Sequence, residues 1–453
     1  MAWVLSGWTP SSAFAKPCVP GRFPARHLAQ RLAWCLAQRL GQRLAWCLAW
    51  RPSGCLLVVL LLAWPTAVLA TVSLPPGSAP GPSSRLPAGA HDGRLVFGFV
   101  ITPGADSARA AVLVSMLERR FALHNQGLEG RARDSWPRAA RTWHLAVFRL
   151  QAGAADWAEQ LAQQLARRPV FALVGGTGTG DWSPIDRYCS QHGLPLLLPA
   201  IEAPPAVPGA VSLYFHPGVL LDAKRLAAFL LTDRSDPRAP VWQVARPGDS
   251  GAAGARALAH ALVGQVAVQT DWLTDAAGIP AAPPTEPADC VLWLRPIDLR
   301  PWLSSPLCRR LFVSGVLLPD LPDPLAGLPV ASSLIDHLWL TYPWELPGRR
   351  QAAMGPPQAW LRRQGLPERD ARAQTDLWLS MEALETALAS LQGAYFAEGL
   401  LRQMRGALTL RSANAHYREL RPAAEQAWAS RGSYLLRWTG VNGWQPEDGW
   451  VLP

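Results

Sequence analysis

The chain has 453 residues, of which 49% are hydrophobic and 17% are charged. These proportions exclude a chain that is disordered by composition and a protein built from many membrane spans, and the length allows two or three folded domains. The formal net charge is +10, but seven basic and no acidic residues lie in the first 70 positions. The rest of the chain therefore carries only about +3, which excludes an extended basic surface for nucleic acid.

Residues 1–70 have the layout of a long secretory leader. Basic residues up to Arg51 precede the apolar run 55–63, and small residues follow at the positions where a signal peptidase cleaves. We predict cleavage near Ala70, directly after that residue, and export of the mature chain. A membrane anchor is the alternative, but Trp64-Pro65 interrupts the apolar run well short of the roughly 20 residues that a span needs.

Two further features precede the folded region. The octapeptide QRLAWCLA occurs at 31–38 and again at 42–49. It is interpreted either as part of an unusually long n-region or as lying upstream of the true start codon, and an amphipathic helix on a membrane surface is the other reading. Residues 71–91 are rich in Pro, Gly and Ser, which predicts a flexible linker.

Beyond the leader the chain has three cysteines, Cys189, Cys290 and Cys308. Their spacing fits neither a CxxC pair nor a zinc site, and the histidines fall in no metal-ligand pattern, so we predict no metal and no cofactor. Three cysteines leave room for one disulfide, for instance between Cys290 and Cys308.

From residue 94 onward, short apolar runs alternate with amphipathic stretches. Such runs are typical of buried parallel strands, and stretches with apolar residues three and four apart are typical of helices. In chain order we predict a strand at 95–102, a helix at 107–123, a strand at 143–150, a helix at 156–168, a strand at 170–176, a helix at 184–192, strands at 194–200 and 212–216, a helix at 220–231, a strand at 241–245, a helix at 252–262, strands at 266–273, 288–295, 311–318 and 337–344, a helix at 375–391 and a hairpin over 432–444. This alternation predicts an α/β fold with two doubly wound parallel-sheet lobes, whose ligands would bind at the carboxyl ends of the strands.

A glycine-rich loop at 175–180, GGTGTG, closes one predicted strand and precedes a helix. Its backbone amides are placed to face an anion, but it lacks the Lys-Ser/Thr of a P-loop, and the third glycine of a dinucleotide fingerprint falls on Asp181. Two readings remain open. The loop is either a tight turn without a ligand or a turn whose Thr hydroxyls and amides hold a small polar solute.

Two other motifs have structural interpretations. Gly248-Asp249-Ser250-Gly251 has the letters of a trypsin-type nucleophile loop, but it follows a strand and begins a helix, where Asp or Ser acts as an N-cap, so we predict no catalytic residue. Trp339, Tyr342 and Trp344 are expected in the core, with an aromatic cleft wall as the second reading.

Residues 171–199 resemble the branched-chain amino acid receptors of ABC transporters, within the type 1 periplasmic binding proteins. The shared pattern is an apolar strand, a glycine, a short Ser/Thr loop, a proline, a helix, and Gly-hydrophobic-Pro before a second strand that ends in proline. The order of elements continues the resemblance over roughly 94–440.

The resemblance implies two lobes joined by a three-strand hinge, with a solute bound between them and the lobes closing around it. Together with the strand series it predicts lobe I at 92–213 plus 344–408 and lobe II at 214–343 plus 409–453, following the leader and the linker.

The resemblance also implies site residues. Thr179 matches the Ser/Thr that holds a carboxylate in this family, whereas Glu202 stands where a second threonine is usual and would repel a carboxylate. The family's acidic partner for an ammonium group is missing at Gly315-Val316-Leu317. The predicted ligand-binding residues are Asp106, Ser107, Thr177, Gly178, Thr179, Ile201, Glu202 and Arg295.

These features predict a periplasmic solute-binding protein without enzymatic activity. It would be the substrate-binding component of an ABC-type uptake system, soluble in its mature form, with a small polar solute and an inner-membrane permease as partners and no nucleic acid. The alternative is a degenerate receptor-like protein that binds a protein partner without transport, since some receptors of this build are associated with quinoprotein alcohol-oxidation systems. The site mismatches favour that alternative, and an enzyme is a distant third.

Overall fold

The computed structural model describes residues 88–453, except for 92, 130–139, 152, 234–238, 275–287, 304–307, 322, 394, 413–414 and 424–425. The predicted leader 1–70, its cleavage near Ala70 and most of the predicted linker 71–91 lie outside the described residues. The last two linker residues, Ala90–His91, form a strand, so the linker prediction extends two residues too far.

Within the described residues the first sheet has eight strands. They are β1 (Ala90–His91), β2 (Arg94–Ile101), β3 (Thr142–Arg149), β4 (Ala172–Val174), β5 (Thr177–Gly178), β6 (Leu196–Leu197), β7 (Ala200–Ile201) and β8 (Ser212–Leu213). β2 is buried along its length except at Arg94 and pairs in parallel with β3, β4 and β5, while β1 alone is antiparallel to it. Helices α1 (Ser107–Glu129), α2 (Trp157–Arg167) and α3 (Ser183–His192) connect the strands, as a doubly wound sheet requires.

The second sheet has seven strands in the described part of the chain, in the order β10, β9, β11, β12, β13, β14, β15. They are β9 (Val241–Ala245), β10 (Val268–Trp272), β11 (Ala288–Trp293), β12 (Cys308–Ser314), β13 (Leu338–Tyr342), β14 (Tyr434–Trp438) and β15 (Trp444–Pro446). β9 to β13 are parallel, and β14 and β15 add antiparallel strands at one edge. Helices α4 (Val219–Thr232), α5 (Gly251–Leu262) and the short α6 (Pro296–Leu299) belong to this half.

The neighbouring strands β11 and β12 are joined by a disulfide between Cys290 and Cys308, whose Cα atoms lie 5.5 Å apart. This is the pair that the cysteine count left open. Cys189 is a buried free thiol.

Three helices follow the second set of parallel strands, α7 (Pro347–Arg363), α8 (Ala371–Leu391) and α9 (Ala397–Leu410). α8 packs against α1 and β7 of the first sheet and against α7 and α9. The first sheet with α1, α2, α3, α8 and α9 is called lobe I below, and the second sheet with α4, α5 and α6 is called lobe II.

The chain passes between the lobes three times, near 214–216, near 343–346 and across 411–433. These crossing segments bond to one another through their backbones. Ser430 N–H donates to Phe215 O at 2.7 Å, and Glu345 N–H donates to His416 O at 3.0 Å. The predicted α/β fold with two parallel-sheet lobes is confirmed.

Candidate functional site

A cavity of about 530 Å³ lies where the carboxyl ends of the strands from both sheets meet. This is the position at which doubly wound sheets bind ligands. The volume falls within the range of small-molecule sites. The wall has apolar patches at Ile201 and 316–318. Its larger polar and aromatic residues are Asp106, Arg109, Glu202, Tyr214, Phe215, His216, Arg295, Asp320, Trp344, Arg369, Asp370, Arg372 and Asp376.

An ion-pair cluster bridges the lobes at one side of the cavity. The Arg295 guanidinium, just after β11 of lobe II, donates to both carboxylate oxygens of Glu202, just after β7 of lobe I, at 3.2 and 2.7 Å. It also donates to both oxygens of Asp249 at 2.9 and 2.7 Å. Burial disfavours the charged guanidinium, but attraction to Glu202 and the hydrogen bonds to both carboxylates outweigh burial and raise the pKa of Arg295.

A second arginine bridges the lobes in the opposite direction. Arg372, in the first turn of α8 in lobe I, donates to Gly315 O at 3.1 Å and to Leu318 O in the loop after β12 of lobe II. Its guanidinium lies 4.1 Å from the centre of the Trp344 ring, which is the geometry of a cation–π contact. Arg372 is therefore bound by two carbonyls of lobe II and by one aromatic ring.

His216 is a neutral hydrogen-bonding residue in the cavity wall. It is 9% exposed, and its Nδ1 accepts from Gly218 N–H at 2.9 Å, so in the neutral ring the proton is on Nε2. Burial, together with the positive charge of Arg372 and the nearby His416, lowers the pKa of His216 to about 3. The ring is therefore an uncharged donor at neutral pH.

The carboxylates of the wall also have protein partners. Asp370 lies 3.1 Å from Arg109 and caps α8 by accepting from Ala373 N–H, and despite burial the charges of Arg109 and Arg372 lower the pKa of Asp370. Asp320 pairs with Arg350 at 2.8 Å and accepts from Tyr342 OH at 2.9 Å.

Deeper in the wall, Asp376 accepts from Tyr417 OH at 2.9 Å and lies 3.2 Å from His416 Nε2. At the mouth, Asp106 is exposed and accepts from the Arg109 backbone N–H at 2.9 Å. Arg369 is exposed as well and forms no ion pair with another described residue.

Four of the residues predicted to bind ligand lie in the cavity wall, namely Asp106, Ile201, Glu202 and Arg295. The other four, Ser107, Thr177, Gly178 and Thr179, lie outside it.

The Thr-bearing turn packs into lobe I. The Thr179 hydroxyl donates to Pro103 O at 3.2 Å, Thr102 OH donates to Thr179 O at 3.1 Å, and Thr177 is 1% exposed. A Cβ added to Gly180 would lie 3.9 Å from Gly248 O, so the end of the turn still faces lobe II.

Sequence reasoning missed the remaining polar residues of the wall. Arg372 and Asp376 sit within a helical pattern without any motif, so no signal pointed to them. For Trp344 the sequence left two interpretations, the core or an aromatic cleft wall. The structure places it in the cavity wall, against the guanidinium of Arg372. His216 is one of the histidines that fall in no metal-ligand pattern, so the sequence did not single it out.

The Gly248 to Gly251 motif lies at the start of α5, as the sequence predicted. α5 begins after Ser250, whose side chain makes no capping hydrogen bond, and Asp249 binds Arg295. The Asp249 carboxylate also accepts from the Ser250 backbone N–H at 2.7 Å, so Asp249 contacts the start of the helix as expected, whereas the Ser250 side chain does not cap it.

Among the described residues, no group of three or more His, Cys, Asp or Glu side chains is placed to hold a metal ion. No helix in the same part of the chain combines the length and apolarity needed to cross a membrane.

The fold is shared with solved structures of transport receptors. A branched-chain amino acid ABC transporter protein from Thermus thermophilus with bound valine has a TM-score of 0.55 and 14% identity, over 80% of this chain and 97% of that one. A fatty acid ABC transporter substrate-binding protein from Thermomonospora curvata has a TM-score of 0.51 and 14% identity, over 82% and 95%. A periplasmic binding protein type 1 from Bordetella pertussis Tohama I has a TM-score of 0.51 and 11% identity, over 79% and 100%.

No protein-family model and no curated protein matches the chain. The solved structures show that it has the type 1 periplasmic binding protein fold, as the sequence resemblance implied.

Proposed function

We propose that the chain is an exported solute-binding protein that holds a small polar solute between its lobes and delivers it to an ABC-type permease. The observation that carries the proposal is the cavity, since its wall combines strand ends of both lobes with hydrogen-bonding and apolar groups. A solute that touches both lobes stabilises the closed arrangement by its differential affinity for that state.

Within this proposal Asp106, Ile201, Glu202 and Arg295 act as wall residues from the loops at the strand ends. Ser107, Thr177, Gly178 and Thr179 support the shape of lobe I and do not contact the solute. Glu202 and Arg295 also restrain the distance between the lobes, because their ion pair spans the cavity.

Two observations support export. The leader has the order of a secretory signal, and Cys290 and Cys308 are paired in the folded part of the chain. Disulfides form and persist in oxidising compartments such as the periplasm and are rare in the cytosol.

Calorimetry and thermal unfolding against a broad panel of small metabolites test the proposal. A cavity solute present at 100 times its Kd adds about 2.7 kcal/mol to the free energy of unfolding. The variant Ala371→Trp, which fills the cavity from the first residue of α8, should lose the response. The matched control is Ala397→Trp at the first residue of α9, outside the cavity wall, and it should keep the response.

A folded protein that responds to no solute across the panel contradicts the proposal and favours the protein-partner alternative. A response that survives Ala371→Trp contradicts the assignment of this cavity as the site.

A further inference from the structure

The arginines inside the cavity wall are already bound by acceptors of the protein. Arg295 makes four hydrogen bonds to two carboxylates, and Arg372 donates to two backbone carbonyls and stacks on Trp344. Arg109 pairs with Asp370. A solute carboxylate would therefore have to displace a partner from one of these arginines.

The acidic side chains inside the wall also have hydrogen-bond or ion-pair partners within the protein. Glu202 is bound by Arg295, Asp320 by Arg350 and Tyr342, and Asp376 by Tyr417. Asp106 and Arg369 have no ion-pair partner among the described wall residues and are exposed at the mouth, whereas Arg372, which also has no carboxylate partner, is bound by two backbone carbonyls. Charges at such exposed positions contribute little to a contact because water and salt screen them.

A charged group that enters a cavity without a free partner loses its hydration and gains no compensating ion pair. A neutral group loses much less, provided that its polar atoms find hydrogen bonds. His216 supplies one such bond as an uncharged donor, and Ile201 with residues 316–318 supplies apolar contact.

From this pairing we infer that the solute is an uncharged polar molecule, with an acceptor atom on His216 Nε2–H and apolar carbon against the wall. The inference rests on the proposed function and names the solute class of the same cavity. The occupied arginines distinguish this cavity from an anion-binding site, because each interior arginine of the wall already has an acceptor within the protein.

Equilibrium dialysis of the purified full chain against a defined mixture tests the inference. The mixture contains compounds that share a skeleton and differ in charge: glucose, gluconate and glucosamine, and 4-methylpentanamide, 4-methylpentanoate and leucine. We expect uncharged members to be retained about tenfold or more above their charged counterparts, as read by mass spectrometry. Preferential retention of gluconate, 4-methylpentanoate, glucosamine or leucine overturns the inference and leaves the proposed function standing, whereas retention of no compound counts against both.

The double variant Glu202→Gln/Asp249→Asn leaves Arg295 without a carboxylate partner and should gain retention of gluconate and 4-methylpentanoate by about tenfold. Unchanged rejection of both anions in the folded variant overturns the inference. If the double variant fails to fold, Glu202→Gln alone is measured instead. It removes one of the two carboxylates bound to Arg295 and should give a smaller gain in retention of both anions, and no gain overturns the inference. The control is Glu447→Gln, which breaks an ion pair with Arg437 that lies outside the cavity wall.

Discussion

Asp222 is a carboxyl group fully buried within α4 of lobe II. One carboxyl oxygen accepts from Ser314 OH at 2.6 Å and weakly from Val316 N–H at 3.5 Å, while the other has no hydrogen-bond partner. Burial outweighs these hydrogen bonds and raises the pKa of Asp222 from 3.8 to about 6. The folded protein therefore binds this proton more tightly than the unfolded chain does.

A raised carboxyl pKa contributes stability that is fully present below the unfolded pKa and is lost as the pH rises through the folded pKa. Asp222→Asn keeps the shape and removes the titration. We expect the free energy of unfolding of the variant, relative to the parent, to rise by about 2 kcal/mol between about pH 4.5 and about pH 7.5. Urea unfolding at the two pH values measures this difference.

The control for Asp222→Asn is Asp323→Asn, which changes an exposed carboxylate in the same lobe. An Asp222→Asn effect that is equal at both pH values would show that the carboxyl proton is not linked to folding.

Glu202 and Arg295 show which features of the site can be predicted from the sequence and which cannot. Glu202 follows the strand that ends in Ile201, so its place at a sheet edge was predictable from the pattern of strands. Its partner Arg295 is 93 residues away on the other lobe, and no local pattern encodes that distance. The sequence therefore predicted both residues as site candidates but not the ion pair between them.

At the scale of elements, strands and helices with a clear apolar period were predictable. β9 was predicted with the bounds that the structure has, and α5 was predicted within one residue. α7 was missed because it carries Pro356 and Pro357 in its interior, residues that normally end a helix. The predicted strand 194–200 is divided into β6 and β7, with Leu198 at a positive φ of 54° between them.

The disulfide between β11 and β12 encloses the segment that carries Arg295, with a sequence separation of 18. Closing a loop of this length restricts the unfolded chain and stabilises the fold by about 3 kcal/mol. We expect reduction to lower the free energy of unfolding by that amount, measured by denaturant unfolding with and without a reductant.

The double variant Cys290→Ala/Cys308→Ala gives the control for reduction. It should show the lower stability of the reduced parent and no response to the reductant. A response to reductant that persists in this variant would assign the effect to another part of the chain.

At the scale of the whole molecule, two arginines of the cavity wall bridge the lobes, one from each lobe. Arg295 reaches from lobe II to Glu202, and Arg372 reaches from lobe I to the carbonyls of Gly315 and Leu318. Both contacts join residues of different lobes, so they contribute to the free energy of the arrangement in which the lobes touch. Under the proposed function, a solute between the lobes adds its own differential affinity for that arrangement.

Glu202→Gln removes the negative charge from the bridge between the lobes and should shift the solute-free protein toward an open form by about fivefold, since a partly buried ion pair of this kind contributes about 1 kcal/mol. Small-angle X-ray scattering should show this as a larger radius of gyration. High salt should expand the parent and have little effect on the variant, because salt screens the pair. The matched control is Asp249→Asn, which removes a partner of Arg295 within lobe II and leaves the bond to Glu202 in place. Scattering from Glu202→Gln that equals that of the parent at both salt concentrations would show that the Arg295 bridge does not hold the lobes together.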